Sequence, residues 1–197
     1  AGLPKGVLNI VHGLGTTTGQ AIVEHPSIKA ISFTGGTATG AHIAKVAAPM
    51  FKKLSLELGG KNPNIIFADC DYEDMLNTTV RSSFANQGQI CLCGSRIFVE
   101  ETIYEKFKTD FVENVKGLKV GHPSEKDTKI GALVSKPHLE KVKSYIEIAK
   151  EEGATILCGG NEVTVKGYEN GYYLQPTIIE VKTDDCRVNQ EEIFGPV

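Results

Sequence analysis

Apolar positions fall in short runs separated by glycine-rich or polar turns. The first, Val7 to Val11 (VLNIV), reads as a short buried strand. His12 to Gly19 follows, with glycines for a tight turn and threonines suited to a helix start. Gln20 to Glu24 fits a short helix, and Ala30 to Phe33 a second strand ending at Thr34-Gly35-Gly36. Thr37 to Ala48 predicts a helix of small residues, closed by Pro49. Leu54 to Leu58 alternates and predicts a third strand. Strand, helix, strand, helix, strand with short connections is the pattern of a parallel α/β layer.

Gly59-Gly60-Lys61-Asn62-Pro63 breaks the composition and marks a domain boundary, giving domains 1–59 and 60–197. Beyond it, Ile65 to Phe67 reads as a buried strand. Asp71 starts a helix with acidic residues in its first turn, running through Met75, Val80 and Phe84 to about Asn86, with Gly88 as its stop. Arg96 to Val99 is a strand, and Thr102 to Val115 shows helical spacing at Ile103, Phe107 and Phe111. A polar loop covers Gly121 to Lys129, and Ser135 to Glu151 is helical with Pro137 near its start. Ala154 to Leu157 predicts a strand, Gly159 to Gly171 a polar loop, and Tyr173 to Val181 one extended segment around Pro176.

Composition narrows the function. The 197 residues are 41% hydrophobic and 23% charged, enough for a buried core and unlike a disordered chain. A net charge of −3 with no block of Lys or Arg gives no electrostatic case for nucleic acid or a membrane surface. No apolar run has the length of a membrane helix, and the start does not read as a signal peptide. Five cysteines, an odd number at irregular spacing, favour a reducing, intracellular setting. Ala1 in place of a Met, and the sequence EEIFGPV at Val197, read as the ends of a piece cut from something longer.

Two residues stand out chemically. Cys91 lies in Asn86-Gln87-Gly88-Gln89-Ile90-Cys91-Leu92-Cys93-Gly94-Ser95, past a helix and before a strand, where a thiol can be exposed and approached as a nucleophile must be. Its other reading is a small buried hydrophobe. The Cys91/Cys93 pair has no further His or Cys pair nearby to complete a zinc site, so no metal is expected. Glu57 ends an apolar strand: buried, its raised pKa suits a general base; on a strand that alternates, it equally points outward beside Ser55. Phe33 to Gly40 (FTGGTATG) opens a helix, and Gly13-Leu14-Gly15 turns tightly, but neither completes a dinucleotide or P-loop fingerprint. The five histidines form no triad pattern, and surface or turn positions are expected for them.

FTGGTATG, LELGGKNPNIIF, FANQGQICLCGSR and EEIFGPV occur in the order and near the spacing seen in the aldehyde dehydrogenase family, which the chain resembles from end to end. RSSFANQGQICLC and KKLSLELGGKNP are most similar to its branch containing 2-aminomuconic semialdehyde dehydrogenase. The resemblance implies an α/β fold: part of a Rossmann-like NAD-binding domain in 1–59, then part of an α/β catalytic domain in 60–197. It implies that Cys91 attacks an aldehyde to give a thiohemiacetal, that hydride passes to NAD, and that Glu57 is the general base, activating the thiol or the water that hydrolyses the thioester. The Cys91 N–H supplies half of an oxyanion hole, and Cys93 lines the pocket. Gly15, Gly36, Gly40, Leu58, Gly59, His138, Lys141, Glu192 and Phe194 match positions that approach the cofactor. Gly36 departs from the Ser of many members, which removes one phosphate hydrogen bond worth about 1 kcal/mol. The resemblance further implies a cytoplasmic homo-oligomer, dimer or tetramer, acting on a small aldehyde. It leaves NADP open beside NAD, because the ribose-reading acid falls outside this chain. So does the Asn of the oxyanion hole, and a non-catalytic fragment or interaction module is the alternative.

Overall fold

The computed structural model describes residues 2–197. Contacts divide the chain into two compact units, Ala1–Gly59 and Gly60–Val197.

In the first unit, a π-helical turn at Gly15–Gly19 leads into helix α1 (Gln20–Glu24). Strand β1 (Ala30–Gly35), helix α2 (Thr37–Ala47), a 3-10 turn at Ala48–Met50 and strand β2 (Lys53–Leu58) follow. β1 and β2 are parallel, with Thr34 opposite Glu57 and Gly35 opposite Leu58. α2 buries Gly40, Ile43 and Ala47, residues spaced three and four apart on one helix face. Lys52 is buried because its ammonium caps the end of α1, donating to the carbonyls of Val23 and His25.

The VLNIV run forms no strand. Val7, Leu8, Ile10 and Val11 are 64–74% exposed, and no strand among the described residues pairs with them. A strand is made by its neighbour's hydrogen bonds, and an apolar run without one stays irregular.

The second unit opens with β3 (Pro63–Ile66), helix α3 (Tyr72–Phe84), β4 (Arg96–Val99) and helix α4 (Tyr104–Lys116). β3 and β4 are parallel. Asp71 caps α3, its carboxylate accepting from the Asp74 N–H at 3.3 Å. Ile66, Leu76, Phe84, Phe107, Phe111 and Val115 pack into one core. Phe67, expected in the buried strand, falls beyond it and is 62% exposed. Helix α5 (Lys136–Glu151) starts at Ser135, whose hydroxyl accepts from the His138 N–H, with Pro137 in the first turn. Its buried stripe of Leu139, Val142, Ile146 and Ala149 meets Leu174, Val188 and Ile193 in a second core.

Strands β5 (Thr155–Cys158), β6 (Glu162–Val163), β7 (Tyr173–Leu174) and β8 (Ile178–Glu180) precede the short helix α6 (Arg187–Gln190). The expected single extended segment is therefore two strands: β7 pairs with β6, and β8 with β5, both antiparallel. Pro176 between them has no N–H for a ladder. The supposed loop of Gly159 to Gly171 holds β6. Among the strands of the described residues, β1–β2 and β3–β4 are the parallel pairs.

Candidate functional site

The cysteine loop is built by backbone that few residues accept. α3 ends at Phe84, two residues short of the expected end at about Asn86. Asn86 (φ 50°), Gln87 (φ 59°) and Gly88 (φ 68°) are then all left-handed. Asn and Gly tolerate this region; Gln87 is held there by its side chain. Its Oε1 accepts from the Gly131 N–H (3.1 Å), and the Gln89 Oε1 from the Val134 N–H (3.2 Å). Glycine is obligatory at 88, since a Cβ there would lie 2.0 Å from the Gly195 carbonyl oxygen. Gly195 is fitted as tightly on its other side, where a Cβ would lie 2.6 Å from a Val142 methyl. The segment Glu191 to Val197 is thus wedged between the cysteine loop and α5.

At the tip, Cys91 is exposed and Cys93 is buried. The Asn62 amide bridges the two, donating to the Cys91 carbonyl (2.6 Å) and the Cys93 carbonyl (3.0 Å). The Cys91 N–H donates to no backbone carbonyl among the described residues. Burial pushes the Cys93 thiol up, which keeps it protonated and unreactive at neutral pH. Cys91, Cys93, Asn62, Lys61 and Glu192 all line one cavity of about 20 Å³, room for roughly one water. Lys61 is half-buried, and its ammonium has no ion-pair partner within 4.0 Å among the described residues. Burial, then the Arg96 charge, lower its pKa to about 8.

Glu192 and Phe194 lie on the wedged segment. The Glu192 carboxylate accepts from the Gly60 N–H at 3.4 Å, and its backbone carbonyl from the Lys141 ammonium at 3.1 Å. Phe194 is left-handed (φ 61°), and its carbonyl bonds the His138 Nε2 at 2.6 Å. His138 therefore departs from the expected surface or turn position: it is half-buried on a helix and bonded to the chain 56 residues later.

In the first unit, Glu57 is exposed on β2, opposite Thr34 of β1. The α2 N-cap, Gly36, has no side-chain cap, and a Cβ at Gly36 or Gly15 would meet nothing within 4 Å. Free first-turn N–H groups beside open glycine backbone suit a phosphate group. Gly40 serves differently: a Cβ there would lie 2.5 Å from Leu58, so this glycine lets α2 pack closely on β2. Gly59, half-buried, ends the unit. No group of three or more His, Cys, Asp or Glu among the described residues is placed to hold a metal. Among the described residues, no helix is long and apolar enough to cross a membrane.

Asn62, Lys61, Gly195 and Val142 are the members that sequence reasoning missed as parts of this site. The Asn-Gln-Gly run carried the signal for a left-handed turn. Nothing local marked Asn62, whose partners are 29 and 31 residues away.

Residues 1–197 match the model of the aldehyde dehydrogenase family. The chain is 55% identical over 200 residues to a 2-aminomuconic semialdehyde dehydrogenase of Danio rerio, covering all of this chain and 41% of that protein. It is 52% identical over 201 residues to the Homo sapiens protein of that name, at the same coverage. Among solved structures, betaine aldehyde dehydrogenase from Staphylococcus aureus in complex with NAD⁺ superposes with a TM-score of 0.95 at 40% identity. That match covers 99% of this chain and 39% of the bacterial one. The chain thus spans about two fifths of the length of these relatives.

Proposed function

The chain belongs to the aldehyde dehydrogenase family, and from that premise we propose that the protein carrying it oxidises an aldehyde to a carboxylic acid with NAD⁺. The observation that carries the reading is the loop at Cys91. An exposed thiol stands there beside a backbone N–H without a backbone acceptor, on a turn pinned by Asn62 and by three successive left-handed residues.

In this reading the Cys91 sulfur attacks the aldehyde carbon, and the Cys91 N–H donates to the oxyanion that forms. NAD⁺, when bound, supplies the hydride acceptor. The resulting thioester on Cys91 is hydrolysed by a water whose proton Glu57 accepts; carboxylic acid leaves and the thiol is restored. Gly15 and Gly36 leave room for the cofactor phosphates. Leu58 and Gly59 of the first unit, and Glu192 and Phe194 of the second, would hold its nicotinamide end, and His138 and Lys141 match further positions that approach the cofactor. We assign residues 1–59 to the cofactor-binding domain and 60–197 to the catalytic domain.

The finer assignment is 2-aminomuconic semialdehyde as substrate, supported by the 49–55% identity to enzymes of that name from vertebrates and a Pseudomonas species. A cytoplasmic homo-oligomer is the accompanying expectation, consistent with five free cysteines.

The test uses the full-length protein. Its NADH formation is measured with 2-aminomuconic semialdehyde and with betaine aldehyde. Cys91→Ser is expected to abolish turnover with both, and retained turnover overturns the nucleophile. Equal kcat/KM for the two aldehydes overturns the substrate assignment.

A further inference from the structure

One face of α5 is spent on holding another piece of chain. His138, Lys141 and Tyr145 stand three and four residues apart, and so share a face of the helix. Each reaches the same short segment. The His138 Nε2 bonds the Phe194 carbonyl (2.6 Å), the Lys141 ammonium donates to the Glu192 carbonyl (3.1 Å), and the Tyr145 hydroxyl bonds the Glu191 carboxylate (2.6 Å). Between them, Val142 is fully buried and abuts Gly195.

These bonds explain a conformation that Phe194 would not adopt alone. A non-glycine residue at φ 61° is strained, and persists only where its surroundings over-determine it. The His138 ring both bonds the Phe194 carbonyl and stands edge-on to the Phe194 ring, with centroids 6.1 Å apart at 72°. A carbonyl oxygen can only accept, so the His138 Nε2 carries the hydrogen. That nitrogen has no capacity left for a ligand.

We propose that His138, assisted by Lys141, is a positioning residue: it clamps the 191–195 segment and sets the orientation of Glu192 and Phe194, instead of binding the cofactor with Nε2. The proposal rests on the functional reading above, in which Glu192 and Phe194 contact the nicotinamide end. A residue bound directly to the cofactor and a clamp on the segment differ in the cofactor-free protein, where only the clamp acts.

The full-length protein is compared as wild type, His138→Leu, His138→Gln and Lys141→Met. His138→Leu removes the donor, whereas Gln keeps an N–H of similar reach. Amide hydrogen exchange across 191–197 is followed without NAD⁺; NAD⁺ affinity is measured by calorimetry, and KM and kcat are determined separately. In His138→Leu, exchange of the segment is expected to quicken and the Kd and KM for NAD⁺ to rise, each about tenfold, with the aldehyde KM unchanged. His138→Gln is expected to restore all three to within about twofold, and Lys141→Met, on an exposed side chain, to show a smaller loss of about threefold. Unchanged exchange in both His138→Leu and Lys141→Met overturns the clamp. So does a Gln variant as impaired as Leu. Quickened exchange with unaltered NAD⁺ affinity overturns the role in cofactor positioning. A wild-type protein that binds no NAD⁺ overturns the functional reading, while the exchange comparison still decides the clamp.

Discussion

The runs VLNIV at Val7–Val11 and NPNIIF at Asn62–Phe67 look alike in sequence and fare oppositely. The second becomes β3, because Arg96–Val99 runs parallel to it and Ile66 joins the core that holds Phe107, Phe111 and Val115. The first meets neither a strand nor a core, and its side chains stand in solvent. The difference teaches that apolar content marks what can be buried, while strand formation belongs to the pair. The same contrast extends to the two glycine turns. At the start of α2, Gly36 faces open space; in the cysteine loop, Gly88 is closed in by backbone. One is glycine so that something else can approach, the other because the chain itself already has.

That comparison breaks most sharply at Gly88. Gly88→Ala sets a methyl into the Gly195 carbonyl at a left-handed position, and is expected to cost about 3–5 kcal/mol in urea unfolding. A loss below 1 kcal/mol would show that the 191–197 segment yields easily. Phe111→Ala, in the core that β3 shares, should cost a similar ~3–4 kcal/mol through transfer and cavity terms.

A smaller effect tests the buried charge beside the loop. With the Lys61 pKa lowered to about 8, the unfolded chain binds the extra proton between pH 8 and the ordinary lysine value. Stability from this group therefore rises with pH across that window and is lowest below it. Lys61→Met is expected to stabilise the protein at pH 7 by about 1–2 kcal/mol, allowing for partial screening, and by nothing near pH 10.5. A gain independent of pH would assign the effect to packing.

Gly36→Ala is expected to leave unfolding within about 0.5 kcal/mol, because the site is open and its backbone is not left-handed. NAD⁺ affinity should fall instead, as measured by calorimetry. The smallest effect belongs to the unpaired run: Ile10→Ser should change stability by less than about 0.5 kcal/mol. A larger loss there would mean that the run is packed in the intact protein.

Much of this was readable along the chain. Helices α3, α4 and α5 follow from apolar spacing of three and four, with Asp71 and Ser135 as caps, because helical hydrogen bonds are local and their signals are too. Cys91 and Glu57 stood out on residue type and setting, and the match of all 197 residues to one family model agrees with the four quoted motifs. Strand partners were less readable. Tyr173 to Val181 gave no sign that Pro176 would divide it between two sheets, since β5 and β6 lie earlier in sequence and only folding brings them near.

What the sequence by itself determined is therefore most of the local elements and the candidates for the reactive groups. Both depend on side chains within a few positions of one another. Only the tertiary structure decided that the Glu57 side chain is exposed, that Asn62 bridges the two cysteine carbonyls, and that α5 grips the segment carrying Glu192 and Phe194. Each of these joins residues far apart in the chain, and such contacts exist only once the entropy of bringing them together has been overcome by burial around them.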